Sequence, residues 1–99
     1  MKQMALPIKL QSKLSKTELH SSIIFVLHNF CDINIYGYNK MRDEYWGKTI
    51  TDKRKCSLHF RVKILPISGP DLVIEIRFIC GNKIVIDQLC QIFEININI

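Results

Sequence analysis

The sequence predicts an α+β fold, a two-layer sandwich in which an antiparallel meander sheet of four to five strands carries two helices on one face. Apolar residues alternate along two long stretches, Cys56 to Ile64 and Leu72 to Cys80, as they do in half-buried strands. A capping signal followed by one-sided apolar spacing precedes these strands, and a second segment with helical spacing follows them. At 99 residues, we expect a single domain over residues 1–99.

The first predicted elements are a short strand and an amphipathic helix. Leu6 to Gln11 alternates weakly, and Pro7 has no N–H for a ladder hydrogen bond, which suits an edge strand. Ser15 and Glu18 then match a capping box, in which each side chain accepts from the other residue's backbone amide. We expect the helix to run from about residue 16 to residue 30 or 31. Its apolar residues recur on one side, at Leu19, Ile23, Val26, Leu27 and Phe30.

Between this helix and the long hairpin, the sequence predicts two shorter strands. Ile33 to Tyr38 forms an extended segment, in which Gly37 marks a bulge or a tight bend. Lys40 to Glu44 is a charged turn, and the strand after it ends at Thr51. The single tryptophan, Trp46, lies on that strand either in the core or as an exposed anchor at a binding rim. We expect Trp46 to lie in the core or at its edge.

The long hairpin has one apolar and one polar face. Residues 66–70, which include two prolines and a glycine, form its turn. On the polar face, Glu75 can meet Arg61 or Lys63 across the ladder and so help to fix the register. The residues expected to point inward are Cys56, Leu58, Phe60, Val62 and Ile64 on the first strand, and Leu72, Ile74, Ile76, Phe78 and Cys80 on the second.

The last segment fits two periodicities. Alternating isoleucines suit a strand, whereas the apolar residues between Ile86 and Ile97 also fall at helical spacing. Gly81 and Asn82 offer a turn and an N-cap, and residues 87–91 contain no β-branched side chain. These features favour a helix from about Lys83 to Asn96.

Charge and cysteine content restrict the function. A net charge of +5 favours an anionic partner, namely phospholipid head groups, nucleic acid or an acidic protein surface. A basic face that only keeps the domain soluble is the alternative. The cysteines Cys31, Cys56, Cys80 and Cys90 form no C-x-x-C pair and lie on or beside apolar stripes. We interpret them as reduced core thiols of an intracellular protein, with no metal and no cofactor.

Two other function classes fit the residues less well. The sequence offers no nucleophile with a positioned base, no paired carboxylates in a cleft and no glycine-rich phosphate loop, so we expect no catalytic activity. RNA-binding sheets stack bases on exposed aromatic side chains. The predicted polar face offers no aromatic platform, so we expect no specific nucleic-acid partner. Its residues are Ser57, His59, Arg61, Lys63, Val73, Glu75 and Arg77.

Three stretches form a recognisable pattern: Gly37-Tyr38, then Thr51-Asp52-Lys53-Arg54 followed by the strand from Leu58 to Val62, then Val73 to Phe78 followed by Gly81 and an apolar closing helix. They resemble the kinase-associated domain of type one, found at the carboxyl end of several serine/threonine kinases. Within it, they are most similar to the regulatory domains of DNA-damage checkpoint kinases. That family carries a Gly-Asp-Gly turn and basic residues in its closing helix, where this chain has Cys80-Gly81-Asn82-Lys83 and an apolar segment.

The resemblance implies a non-catalytic regulatory domain at the carboxyl end of a larger kinase in the nucleus and cytoplasm. Such a domain binds and autoinhibits its own kinase domain in cis, and the alternative is an anionic phospholipid-binding module. Each candidate residue also has a structural explanation, since Asp52 suits an Asx-turn, the hairpin arginines can pair with Glu75, and Gly81 allows a positive φ. The candidate binding residues are Thr51, Asp52, Lys53, Arg54, Lys55, Arg61, Arg77 and Gly81.

Overall fold

The computed structural model describes residues 7–30, 33–49, 58–65 and 69–98. The elements, in chain order, are β1 (Ile8–Ser12), α1 (Lys16–Asn29), β2 (Ile35–Asn39), β3 (Glu44–Lys48), β4 (Leu58–Leu65), β5 (Leu72–Gly81) and α2 (Lys83–Ile97). The strands form one antiparallel sheet in the order β1-β5-β4-β3-β2, so β1 is an edge strand as predicted. Neither of the helices described is long and apolar enough to cross a membrane.

The core lies between the sheet and the two helices, which confirms the two-layer α+β architecture. Phe60 of β4 is fully buried, and its ring lies 6.0 Å from Phe78 and 6.2 Å from Phe93 of α2, measured between centroids. The other main contributors are Leu19, Ile23, Val26 and Leu27 of α1, Leu89 and Ile97 of α2, and Leu58, Val62, Ile64, Ile74 and Ile76 of the hairpin. Removing this apolar surface from water is the main force that holds the layers together.

Both helices begin at the capping residues that the sequence predicts. The Ser15 hydroxyl accepts from the Glu18 amide at 3.2 Å, and the Glu18 carboxylate accepts from the Ser15 amide at 2.9 Å. The Asn82 side chain accepts from the Val85 amide at 2.9 Å. The closing segment is therefore a helix, as predicted, and its capping residue satisfies one of its unpaired first-turn amides.

Two expectations about the sheet are wrong. The pairing of β4 with β5 shifts between His59 and Phe60, so β5 carries one extra residue and Cys80 lies opposite His59 rather than in the core. Gly37 is neither a bulge nor a bend, because it pairs with Trp46 in an unbroken antiparallel register. Alternation along one strand cannot reveal an extra residue, since a bulge depends on the partner strand.

The cysteines divide into two groups. Cys80 and Cys90 are both half-buried rather than fully buried. Cys90 packs against the core from α2, and burial, with smaller contributions from Asp87 and Glu94, raises the pKa of its thiol to about 11. Cys31 and Cys56 lie outside the described residues.

Candidate functional site

The sheet face that the helices leave uncovered, called the open face below, carries a central row of side chains across four strands. The register places Gly37 of β2 opposite Trp46 of β3, Trp46 opposite Arg61 of β4, and Arg61 opposite Arg77 of β5. Gly47, one residue from Trp46, points to the other face, since a Cβ there would meet Phe60 in the core. Trp46 and both arginines therefore share the open face.

Two further rows flank the central one. The basic row, Ile35-Lys48-His59-Cys80, contains Lys48 and no carboxylate. The mixed row, Asn39-Glu44-Lys63-Glu75-Lys9, contains two lysines and two glutamates. The carboxylates of the three rows thus lie in one row only, and the central and basic rows carry positive charge.

The central row places two like charges directly opposite each other. Arg61 and Arg77 are register partners on one face, an arrangement that costs roughly 0.2–1 kcal/mol relative to a neutral pair. Arg77 offsets part of this cost through Glu75 on its own strand, with Nε 3.1 Å from the carboxylate oxygen. Glu75 lies opposite Lys63, as predicted, but its ion pair is with Arg77. Within the described ranges, no carboxylate forms an ion pair with Arg61.

Trp46 corrects a third expectation from the sequence, because it lies on the open face and not in the core. Its ring lies over Gly37, where a Cβ would be only 2.8 Å from the nearest ring atom. The half-buried indole borders a depression of about 320 Å³. The other residues that line this depression are Asn39, Arg42, Glu44, His59 and Arg61.

His59 lines this depression and lies opposite Lys48 in the sheet. Partial burial lowers the pKa of its imidazole, and the charges of Lys48 and Arg61 lower it further. Lys48 and the arginines are the cations around it. Guanidinium groups donate two parallel hydrogen bonds to carboxylate or phosphate, so this face is suited to binding anions.

The structure brings together only part of the predicted site. Arg61 and Arg77 are neighbours on the open face. Gly81 lies apart from them, at the entry to α2, where its φ is +155° and a Cβ would meet Ile86 at 3.2 Å and Leu58 at 3.3 Å. This geometry matches the structural explanation given for Gly81. The basic turn, Thr51, Asp52, Lys53, Arg54 and Lys55, lies outside the described residues.

Sequence reasoning missed three residues of this face: Trp46, Lys48 and Arg42. The strand Glu44–Lys48 alternates, and that pattern could have placed Trp46 with its polar neighbours once Gly47 was assigned to the core. The contribution of Arg42 could not have been found this way, because it comes from the turn before β3 and depends on how that turn folds.

Across residues 7–30, 33–49, 58–65 and 69–98, no three His, Cys, Asp or Glu side chains are grouped as metal ligands. The depression holds one carboxylate and one histidine among cationic and neutral side chains, an arrangement suited to binding. No family model matches the chain, and a comparison with curated proteins finds no match.

Proposed function

We propose that this chain is a non-catalytic regulatory domain of a serine/threonine kinase of the checkpoint type, which binds its own kinase domain in cis and lowers its activity. The docking surface in this proposal is the open face around Arg61 and Arg77, together with the basic turn Thr51–Lys55. The domain would act in the nucleus and cytoplasm. The observation that carries the proposal is the pair of arginines facing each other across β4 and β5.

Two properties of that pair and the order of the elements support docking on an acidic protein surface. The arrangement is unfavourable within the isolated domain, and a carboxylate between the two guanidinium groups would relieve the repulsion. The Arg77 side chain is 59% exposed, so a partner can reach it. The order helix, meander, long hairpin and closing helix also accords with the resemblance to the kinase-associated domain, which depends on that order.

The contact must be modest in strength, because a regulatory domain has to release its kinase. Removing one partner of a buried charge pair at an interface costs about 2–5 kcal/mol. If closure is favoured by only a few kcal/mol, the loss of one arginine shifts most molecules to the open state.

The test is the activity of the full-length kinase carrying Arg61→Glu or Arg77→Glu. We expect each change to raise activity, while thermal unfolding of the 99-residue chain shows that the domain still folds. Lys83→Glu is the matched control, since Lys83 lies on α2 and its only ion pair in the described structure is the exposed contact with Asp87. Unchanged activity in folded Arg61→Glu and Arg77→Glu variants would exclude this docking surface.

Anionic phospholipid binding is the second candidate, and the basic row, which contains Lys48 and no carboxylate, favours it. Basic residues near an acidic membrane contribute about 1 kcal/mol each. We expect the chain to sediment with phosphatidylserine vesicles at low salt, and replacement of Lys53, Arg54 and Lys55 by alanine to abolish this. If the triple variant still sediments but Arg61→Glu does not, the membrane contact belongs to the open face rather than to the basic turn.

A further inference from the structure

The indole of Trp46 has no part in binding a carboxylate, yet it lies on the open face beside the arginines. An aromatic ring is usually buried in the core or paired with other rings, because its apolar surface is large. Here the ring lies over Gly37 and borders the depression that Arg42 and Arg61 also line. A half-buried ring next to guanidinium groups on an uncovered sheet face is the combination that stacks a base and binds its phosphate.

We propose that the open face binds single-stranded nucleic acid, with one base stacked on Trp46 and the adjoining phosphates bound by Arg61 and Arg42. This inference goes beyond the regulatory function and does not depend on it. The polar face of the hairpin alone has no aromatic side chain on which a base could stack, but β3 adds Trp46 to the same face.

The distribution of charge sets the path of the strand. Phosphates are attracted to the central and basic rows, where Arg61 and Lys48 form no ion pair within the described residues, whereas Arg77 is paired with Glu75. Both carboxylates lie in the mixed row, and Glu44 lines the depression. We therefore place the edge of the stacked base toward Glu44 and Asn39, where a ring N–H or an exocyclic amino group of the base can donate to the carboxylate.

Two further features favour a single strand over other polyanions. A duplex keeps its bases stacked on each other, so no base is available for Trp46. An acidic peptide supplies carboxylates for the arginines but no planar ring at each repeat. Only one base can stack on Trp46, and every base has a face that can stack, so we expect little sequence preference. Because the arginines bind phosphates, we expect affinity to depend strongly on salt.

Trp46 is the only tryptophan of the chain, so its fluorescence reports this site alone. The experiment titrates the 99-residue protein with short oligo(U) and oligo(dT) at about 50 mM salt, and follows both tryptophan quenching and the anisotropy of labelled oligonucleotide. A duplex of the same length, heparin and a poly-glutamate peptide serve as controls. We expect quenching with the single strands only, and weaker binding of the duplex.

Substitutions separate stacking from charge. Trp46→Leu should weaken binding about 5- to 150-fold, the effect of losing one stacked base, while Trp46→Tyr should retain most of it. Arg61→Ala should lower the slope of log K against log salt by about 0.7, the value for one phosphate contact on a single strand. Lys83→Ala, which changes a lysine on α2, should bind normally, and thermal unfolding of each variant establishes that it folds.

Each alternative outcome overturns the proposal. Oligonucleotide binding without quenching of Trp46 would mean that phosphates are attracted without a stacked base. Equal competition by heparin or poly-glutamate at equal charge would mean that the face recognises negative charge alone. Normal affinity in folded Trp46→Leu, or no binding at about 50 mM salt, would remove the site altogether.

Discussion

Two glycines on adjacent strands show how single residues determine what each sheet face carries. At Gly37, the missing side chain leaves room for the Trp46 ring on the open face. At Gly47, the missing side chain leaves room for Phe60 and Leu27 in the core. Gly37 therefore leaves room for a half-buried ring on the open face, and Gly47 allows the two layers to approach closely.

Substituting these glycines by alanine should have different effects. In Gly47→Ala, the new Cβ would lie 2.7 Å from the fully buried Phe60 ring, and we expect a loss of about 1–3 kcal/mol in the free energy of unfolding. In Gly37→Ala, the half-buried Trp46 ring can swing toward solvent, so we expect a smaller loss and a red shift of its emission. Urea unfolding and fluorescence spectra measure both, and equal losses without a spectral change would contradict this account.

Ser12 is a polar residue that holds two ends of the chain together. Its side chain is buried, and its hydroxyl donates to the Ile97 carbonyl of α2 at 2.5 Å while accepting from the Leu14 amide at 3.2 Å. The sequence gives no sign of this contact, because the two partners are 85 residues apart. The hydroxyl thereby satisfies a carbonyl in the last turn of α2 that has no partner within the helix.

Ser12→Ala should therefore destabilise the domain by about 1–3 kcal/mol, because it leaves a buried carbonyl and an amide unpaired. Ser21→Ala, on the exposed side of α1, is the matched control and should change stability by no more than about 0.5 kcal/mol. Urea unfolding of the two variants provides the comparison. A Ser12→Ala protein as stable as the control would show that the hydroxyl contributes nothing.

At the scale of elements, α1 is joined to the neighbouring strands β2 and β3 by polar as well as apolar contacts. The ring nitrogen Nδ1 of His20 lies 2.6 Å from the Tyr45 hydroxyl of β3, and Nδ1 of His28 lies 2.8 Å from the Tyr36 hydroxyl of β2. These contacts tie the helix to the strands that carry Trp46 and Gly37. The position of the open-face tryptophan is thus supported from the opposite face of the sheet.

The capping box at the start of α1 makes the stability of this helix depend on pH. The Ser15 backbone amide donates to the Glu18 carboxylate and lowers its pKa below the ordinary value of 4.5. The Ser15 hydroxyl lowers this pKa further, by a smaller amount. A lowered pKa in the folded state means that the ionised carboxylate stabilises the fold above that value. The contribution is lost as the pH falls through the folded-state pKa.

Glu18→Gln should therefore make the free energy of unfolding depend less on pH in the acidic range. We expect the variant to be less stable than the unmodified protein at neutral pH, and the difference to shrink as the pH falls below 4.5. Unfolding by urea at neutral pH and at about pH 3 tests the sign. A difference that stays constant or grows in acid would show that Glu18 is not ionised in the cap.

At the scale of the whole molecule, the two faces of the sheet have opposite roles. The helix-covered face supplies the apolar burial that stabilises the fold. The open face carries an unfavourable pair of arginines and a half-buried tryptophan. Residues that do not favour folding are often found at binding surfaces, and this face is therefore the one expected to bind a partner.

We expect the fold as a whole to need neither metal nor disulfide, since Cys90 packs against the core as an apolar side chain. The midpoint of thermal unfolding should be the same with and without a chelator, and with and without a reductant. A decrease of several degrees on adding either would mean that a bond or an ion outside the described part of the chain stabilises the domain.

The sequence by itself determined the elements and the core. The helix starts were predicted by the capping residues Ser15 and Asn82, and the hairpin strands by their alternating apolar residues. Both patterns can be found in the sequence because they involve residues that are close together along the chain. Only the tertiary structure decided what the open face carries. Strand order, register and one extra residue in β5 brought Trp46 beside Arg61 and moved Cys80 out of the core. Such juxtapositions depend on residues far apart in sequence, which no local periodicity encodes.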